Sequence, residues 1–425
     1  MLNRIKTLYR RFKSICLHPT YRIPLFPFFI LIKSMDYFRD EVLTGRLTDQ
    51  VCYRVVLAWV NILSTFKTWS PPKKHPKSVL HVNLMVHTAY IYCQILREEG
   101  YKADYLAISP PNKTWGKSDF VFMAKGKPHQ RLWQEFRFFW KKVATYEIIH
   151  LHFMQHFTQT GWELKYFKKA GGKIVVHYRG CRVRDKEKNK ILQPNPIHNI
   201  CHHCDYNASI CSSPKSIDKQ RVTGKYGDFF LATTPDLTDF DSRAVHFPFF
   251  APISDNLPAL APTVTPETKD NEAFKIVHVT NHPGIEGTEL IQKAIDNLMA
   301  KGFNIDFNFL KGVSYEEALA SYQNADLSIG KMKMGYYANA QIESMFFGVP
   351  TVTYIRKEFR TEALENSGLI ITDLDDLEKT LEYYISHPEA LAQKQKIARS
   401  SILELHDNHK LAQRNIEIYQ ALLSK

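Results

Sequence analysis

The feature that most limits the fold of this chain is a proline-studded break between two runs of alternating short strands and helices. Pro248, Pro252, Pro258, Pro262 and Pro266 fall within residues 248–272, a stretch rich in Pro, Ala, Thr and Asp. Proline fixes φ and lacks an amide hydrogen, so this spacing forbids a long helix or a central strand. Before the break, Ser78-Val-Leu-His-Val-Asn83 is a short apolar run, Thr88 to Gly100 has helical periodicity, and Tyr101 to Ala107 resumes as a strand. Strand, helix and strand at this spacing form a parallel βαβ unit. Glu147–His152, Lys173–His177 and Asp228–Thr233 read as further strands, with a helix from Gly161 to Ala170. After the break, strands are expected at Phe274–Thr280, Phe303–Phe309, Asp326–Ile329 and Thr351–Ile355. Helices are expected at Gly287–Ala300, Ser314–Ala325, Leu377–Ile385 and Pro388–Ser424. A chain of 425 residues also exceeds one ordinary core. The expected division is an appendage over 1–76, an α/β half over 77–250, a linker over 251–272 and a second α/β half over 273–425. A cleft between two such halves is the usual place for a ligand.

Charge points to an anionic partner. Lys and Arg number 56 against 43 Asp and Glu, a net charge of +13 with histidine neutral. A phosphorylated sugar donor, an anionic membrane surface and nucleic acid all satisfy that charge. No RNA- or DNA-binding motif accompanies it, so nucleic acid is not an expected partner. Arg4, Lys6, Arg10, Arg11, Lys13, Arg22 and Lys33 all precede the first acid, Asp36. Among them Leu2, Ile5, Leu8, Phe12 and Ile15 recur at helical spacing, giving a basic amphipathic helix suited to an anionic membrane interface. A helix packed on its own domain and a transit peptide have the same pattern. The apolar stretches Ile23–Ile32 and Val51–Phe66 fall short of the ~20 residues that span a bilayer. Seven scattered cysteines argue against a secreted disulfide framework. The expected setting is cytoplasmic, peripheral on the cytoplasmic face of a membrane where the basic helix anchors.

One segment carries a specific chemistry. Gly335-Tyr-Tyr-Ala-Asn-Ala-Gln-Ile-Glu343-Ser-Met-Phe-Phe-Gly348-Val-Pro350-Thr-Val-Thr-Tyr354 reads as a glycine loop, a short helix with one carboxylate, a glycine stop and a strand. Helix N-terminal amides suit a diphosphate, and a single carboxylate suits a ribose diol. On this reading Gly335 allows close backbone approach and the amides of Tyr336, Tyr337, Ala338, Asn339 and Ala340 face the phosphates. Glu343 then accepts from the ribose hydroxyls. An ordinary αβ connection with a glycine loop and an exposed glutamate is the alternative.

Asp326-Leu, the small-residue helix, Glu343-Ser-Met and Gly348-Val-Pro350 stand in this order behind the helical run Tyr315–Ala325. In these elements the segment resembles the nucleotide-sugar segment of family-four retaining glycosyltransferases of the GT-B fold. The likeness covers residues 274–424, is weaker over 77–250 and leaves out the first 76. It implies an α/β fold class, two Rossmann-like domains facing across a cleft, here with an N-terminal basic helical appendage. It also implies transfer of a sugar from a nucleotide-sugar donor to a saccharide or lipid-linked acceptor, with retention and with no cofactor or metal required for catalysis. Surface polysaccharide or glycoconjugate synthesis is the setting that follows. The family carries two glutamates eight apart, and Gly335 stands in place of the first. Its Arg and Lys diphosphate clamp is absent from Asn281-His-Pro-Gly-Ile-Glu286-Gly287, where Glu286 stands in place of the Lys. Replacement cations are expected from Lys311, Lys331 or Lys333, on loops at strand ends. These departures motivate a second reading, a catalytically weak sugar-nucleotide-binding or scaffold subunit of a glycan-assembly complex.

Two further clusters stand out. In Val175-Val-His177-Tyr-Arg179-Gly180-Cys-Arg182-Val-Arg184, a strand ends at a histidine and a glycine turn with three arginines follows. The resemblance implies that His177 reaches the sugar near the reaction centre, and Arg179 is expected on a phosphate or an acidic acceptor. A core histidine beside a solvated basic loop is the alternative. Cys201-His-His-Cys204 with Cys211, and His198 just before, has the makings of a structural zinc site, with reduced loop cysteines as the other reading. Asp373-Leu-Asp375-Asp376 is expected to cap the helix that begins at Leu377. No P-loop, Gly-x-Gly-x-x-Gly or Gly-x-Ser-x-Gly is present, which leaves nucleotide-triphosphatase, dinucleotide and hydrolase chemistry unsupported.

Overall fold

Two all-parallel sheets organise the chain. The structure, a computed structural model, describes residues 46–84, 87–109, 117–206, 209–248, 250 and 272–425. The basic amphipathic stretch over residues 1–35 and nearly all of the proline-rich linker lie outside the described residues.

The first sheet has seven strands: β1 (Ser78–Asn83), β2 (Lys102–Ala107), β3 (Phe120–Val121), β4 (Ile148–His152), β5 (Lys173–Tyr178), β6 (Phe229–Ala232) and β7 (Ala244–His246). Their order is β3-β2-β1-β4-β5-β6-β7, and every pairing is parallel. The second sheet holds β8 (Phe274–Val279), β9 (Ile305–Leu310), β10 (Leu327–Ile329), β11 (Thr351–Thr353) and β12 (Leu369–Ile371). These run β12-β11-β10-β8-β9, again parallel throughout. Strands β1 and β4 are buried along their whole length, as centre strands covered on both faces must be. In each sheet the strand order reverses beside the first strand, between β1 and β4 and between β8 and β10. Loops at the carboxyl ends of the strands part there and leave a crevice.

The residues that made the periodic pattern make the cores. Tyr92, Ile95 and Leu96, from the helix His87–Glu98, pack with Val79, Tyr105 and Val175 of the first sheet. Ile291, Ile295 and Leu298, from the helix Thr288–Ala300, pack with Ile276, Leu327 and Val352 of the second. The C-terminal region departs from expectation. One helix from Pro388 to Ser424 is in fact two, Pro388–Leu405 and Asn408–Leu423. Asp407 makes the break, its carboxylate accepting at 3.0 Å from the amides of both His409 and Lys410. The redirected last helix places Leu411, Ile416, Tyr419 and Leu422 in the core of the first sheet, although it follows the second in sequence. Strands β3, β7 and β12 were not expected; with two or three residues each at sheet edges, they offer too little pattern to read.

The described chain separates into two compact units that cut across the sequence division. One holds both sheets. The other comprises the helices Arg46–Trp69, Pro128–Lys141 and Trp162–Lys169 with their flanking turns. Its buried side chains include Val56, Val60, Leu132, Phe136, Phe139, Leu164 and Phe167. Glu135 is buried in this unit and accepts from the Gln159 amide at 3.0 Å. Burial, with Glu163 nearby, pushes its carboxyl up to about 7. Among the described residues no helix is long and apolar enough to cross a membrane.

Candidate functional site

Loops from the carboxyl ends of both sheets enclose a cleft of about 520 Å³ within the unit that holds the sheets. From the first sheet come Thr88 after β1, Phe153 after β4, Arg179, Gly180 and Arg184 after β5, and Thr233 and Thr234 after β6. From the second come Thr280, Asn281 and His282 after β8, Ser314 and Tyr315 after β9, and Lys331 and Met334 after β10. Ala338, Asn339, Ala340 and Glu343, at the start of the helix Asn339–Phe346, complete the wall.

That short helix is held by its own polar residues. Ser344 Oγ lies 2.8 Å from Ser328 Oγ on β10, which is 2.7 Å from Thr351 Oγ1 on β11. Gly348, at φ +79°, turns the chain out of the helix and into β11. The pinning aims Glu343 into the cleft. Glu343 is 9% exposed, and burial pushes its carboxyl up to about 8, against a lowering contribution from the Tyr315 hydroxyl. At neutral pH it is therefore mostly protonated and can both donate and accept a hydrogen bond.

The other residues of the segment divide. The Ala338 amide donates to Gln341 Oε1 at 2.9 Å and is thereby engaged within the helix start. Asn339 and Ala340 remain to present N–H groups to the cleft, and Asn339 Oδ1 is buried without a hydrogen-bond partner there. Tyr336 and Tyr337 do not line the cleft. Their rings pack with Ile342, Met345 and Ile355 in a hydrophobic cluster, and Tyr337 meets His406 at 3.0 Å. Gly335 also lies outside the lining. It takes φ +79°, and a side chain there would meet Arg356 Cδ at 2.7 Å.

Of the three lysines, only Lys331 lines the cleft, and its Nζ is paired with Glu286. Lys311 is exposed on the loop after β9, outside the lining. Lys333 is buried next to Gly287 and has its pKa lowered by burial.

On the opposite wall, Arg179 is 6% exposed and its Nη2 donates to Thr88 Oγ1 at 3.0 Å. Arg184 is paired with Asp236. A cation from each wall, Arg179 and Lys331, thus lines the same cleft as Asn339 and Ala340. Thr88 and Tyr315 were not anticipated as lining residues, whereas Arg184 belongs to the arginine-bearing turn after His177. Of these two, Tyr315 had a local signal, since it stands within the capping box in which Ser314 Oγ accepts from the Glu317 amide at 3.2 Å.

His177 is placed differently from the expected sugar contact. It is 1% exposed and outside the cleft lining, within a layer of imidazoles on β1, β4 and β5. His150 Nε2 lies 3.2 Å from His177 Nδ1, His81 Nδ1 lies 2.9 Å from His152 Nε2, and His150 Nδ1 lies 2.6 Å from the Tyr419 hydroxyl. The register explains the layer, because His81 pairs with His150 and His152 with His177, and side chains two apart on a strand share a face. One nitrogen from each of His81, His150 and His152 falls within 4.8 Å of the others, a spacing a metal ion can use. Burial and the nearby Arg179 hold all three rings well below their ordinary pKa, His81 at about 3, which keeps them neutral.

No family model and no curated protein matches the chain in sequence. Solved structures do match it in fold. Sucrose-phosphate synthase from Thermosynechococcus elongatus aligns with a TM-score of 0.53 at 12% identity, over 82% of this chain and 99% of the other. The catalytic domain of starch synthase IV from Arabidopsis thaliana, bound to ADP and acarbose, aligns with a TM-score of 0.53 at 11% identity, over 83% and 100%. HepE from Anabaena, in complex with UDP-glucose, gives 0.50 at 11% identity, over 81% and 99%. With its two parallel sheets, the fold of this chain is the GT-B fold of these glycosyltransferases.

Proposed function

We propose that this protein is a glycosyltransferase that moves a sugar from a nucleotide-sugar donor to a saccharide or lipid-linked acceptor. The observation that carries the reading is the position of Glu343: a carboxyl at the start of the helix Asn339–Phe346 that lines one cleft together with Asn339, Ala340, Lys331 and Arg179. The amides and the two cations suit a diphosphate, and Glu343 suits the ribose diol. The fold neighbours bound to ADP and to UDP-glucose support a nucleotide-sugar as the ligand. Charge on the leaving diphosphate is stabilised by these groups, so the reaction proceeds without a metal and, by the family likeness, with retention. The acceptor occupies the first-sheet side of the cleft, near Thr88, Thr233 and Thr234. The basic N-terminal stretch brings the protein to the cytoplasmic face of a membrane, where polysaccharide or glycoconjugate precursors are assembled.

The test is turnover of UDP-glucose and ADP-glucose by the purified chain, with Glu343→Ala and Arg179→Ala as comparisons. Hydrolysis or transfer by the wild type that falls at least ~100-fold in both variants supports the reading. A second reading, a sugar-nucleotide-binding subunit with little catalysis of its own, draws on two observations. Gly335 presents no carboxylate to the sugar, and Glu286 already neutralises Lys331. Nucleotide-sugar binding with no turnover in any variant favours that second reading.

A further inference from the structure

The helix Arg46–Trp69 has two apolar rows where a helix packed on one side needs a single one. Cys52, Val56, Val60 and Ser64 stand four apart and are buried. The helix is also tied to Trp162–Lys169 by the Tyr166 hydroxyl, which donates to Asn61 Oδ1 at 3.0 Å. A second row, Trp59, Ile62, Phe66 and Trp69, recurs at helical spacing along a different side. All four of these side chains are exposed, Phe66 at 59% and Trp69 at 75%. Four large apolar side chains aligned in water are uncommon on a soluble surface, and their removal from water is favourable.

The same unit is strongly cationic. Its residues 46–76, 122–147 and 156–172 contain 14 Lys and Arg against four Asp and Glu. Two of those acids, Glu135 and Glu163, are buried, whereas nine of the 14 bases are exposed. The unit that holds the sheets, residues 77–121, 148–155 and 173–425, contains 34 bases against 36 acids. Positive charge is thus segregated onto the helices, at net +10 against −2. A body so charged is drawn to an anionic surface once it comes within a Debye length, ~8–10 Å.

We infer that this helical unit docks on an anionic bilayer. Trp59, Ile62, Phe66 and Trp69 enter the interface, and the lysines and arginines of the unit meet the headgroups. The inference deepens the membrane setting proposed above; its site is separate from the basic stretch 1–35 and independent of the sugar chemistry. Other occupants fit less well. A second copy brings the same positive charge. The row also offers only on the order of 400 Å², taking 150–250 Å² per aromatic side chain, where a stable dimer buries ~800 Å² per partner. The residues before Asp36 carry seven bases and no acid, so the N-terminus of the chain is repelled by the unit's charge. A single-stranded nucleic acid stacks its bases on open ring faces, but the Phe66 and Trp69 rings meet edge to face at 84° and Ile62 has no ring.

The test is sedimentation of the full chain with vesicles of equal parts phosphatidylcholine and phosphatidylglycerol, and with phosphatidylcholine alone. Wild type should bind the anionic vesicles at least ~tenfold more tightly, and about 0.5 M salt should remove most of that preference. The combined variant Trp59→Ser, Ile62→Ser, Phe66→Ser and Trp69→Ser should bind anionic vesicles at least ~tenfold more weakly at an unchanged melting temperature. Brominated lipid should quench tryptophan emission in wild type, and the paired Trp59→Phe and Trp69→Phe changes should remove that quenching. A full chain carrying Arg4→Gln, Lys6→Gln, Arg10→Gln and Arg11→Gln should still bind through the row. Absence of wild-type binding to anionic vesicles, or equal binding by the combined variant, overturns the inference. Loss of all binding in the Arg4→Gln chain assigns docking to the N-terminal stretch alone and overturns it too. A combined variant that melts several degrees lower marks the row as an internal contact, and one that turns a wild-type dimer into a monomer marks it as a self-association face. Either result overturns the inference, as does oligothymidylate binding that the variant loses while vesicle binding stays. Each outcome stands whether or not the chain transfers sugar.

Discussion

Replacing Glu343 by glutamine should remove this group's share of the pH dependence of the protein's stability. In the ligand-free fold the Glu343 carboxyl is raised from 4.5 to about 8 by burial. A shift of ~3.5 units at 1.36 kcal/mol each amounts to ~5 kcal/mol between the two protonation states. The sign follows from linkage. Below pH 4.5 the group is protonated in both folded and unfolded chains and costs nothing. Between pH 4.5 and 8 the unfolded chain releases a proton that the folded chain keeps, so stability falls as pH rises, and above pH 8 the loss is complete. About 3 kcal/mol of that loss is already present at pH 7. Glutamine keeps a neutral hydrogen-bonding group near Tyr315, so Glu343→Gln should melt higher than wild type at pH 7–9 and no differently near pH 4.5. Thermal melts of both proteins across pH 4.5–9 are the assay. A second readout follows the ligand. If the nucleotide diol requires the ionised carboxylate, UDP-glucose or ADP-glucose affinity should rise roughly fifty-fold from pH 6 to pH 8, with proton release on binding seen by calorimetry in buffers of different ionisation enthalpy. Parallel stability curves for wild type and Glu343→Gln would refute the buried-acid argument, and a flat affinity profile without proton release would refute Glu343 as the diol acceptor.

Other perturbations test separate parts of the molecule. Glu135→Gln should stabilise the helical unit by ~2–3 kcal/mol at pH 8 and little at pH 4.5, since burial holds that carboxyl at about 7; hydrogen exchange within Pro128–Lys141 is the readout. Gly335→Ala should cost ~1–3 kcal/mol, because it puts a side chain at φ +79° and into the methylenes of Arg356, measurable as a lower melting temperature. Lys331→Met should weaken nucleotide-sugar binding by at least ~tenfold, while Glu286→Gln frees the lysine and leaves or improves affinity, both read by calorimetry. Ser314→Ala should cost ~0.5–2 kcal/mol through loss of the helix cap beside Tyr315, checked by thermal denaturation.

Most of the layer architecture was legible because centre strands of parallel sheets are short unbroken apolar runs and their crossover helices repeat at 3.6 residues. Ser78–Asn83 and Phe274–Val279 read directly for that reason. The edge strands β3, β7 and β12 did not, having too few residues to show a period. The Asp373 turn was read as a helix cap; its carboxylate instead accepts at 3.1 Å from the amides of Asp375 and Asp376, just ahead of the helix. Within the site, Glu343 could be singled out as the lone acid in a small-residue helix. The roles of Tyr336 and Tyr337 could not, because whether a loop tyrosine faces solvent or core depends on which residues arrive beside it.

By itself the sequence determined two parallel α/β halves, their separation by a proline-rich break, and a short helix bearing a single carboxylate. Those are local facts, written in periodicity, proline and spacing. Only tertiary structure decided which groups converge. Strand register gathered His81, His150, His152 and His177 into a buried neutral layer and withdrew His177 from the cleft. Loop packing paired Lys331 with Glu286 and brought Arg179 to the opposite wall. The break at Asp407 returned the last helix to the first sheet. Each depends on residues far apart in the chain, whose meeting is fixed by packing and register and by nothing in their immediate neighbours.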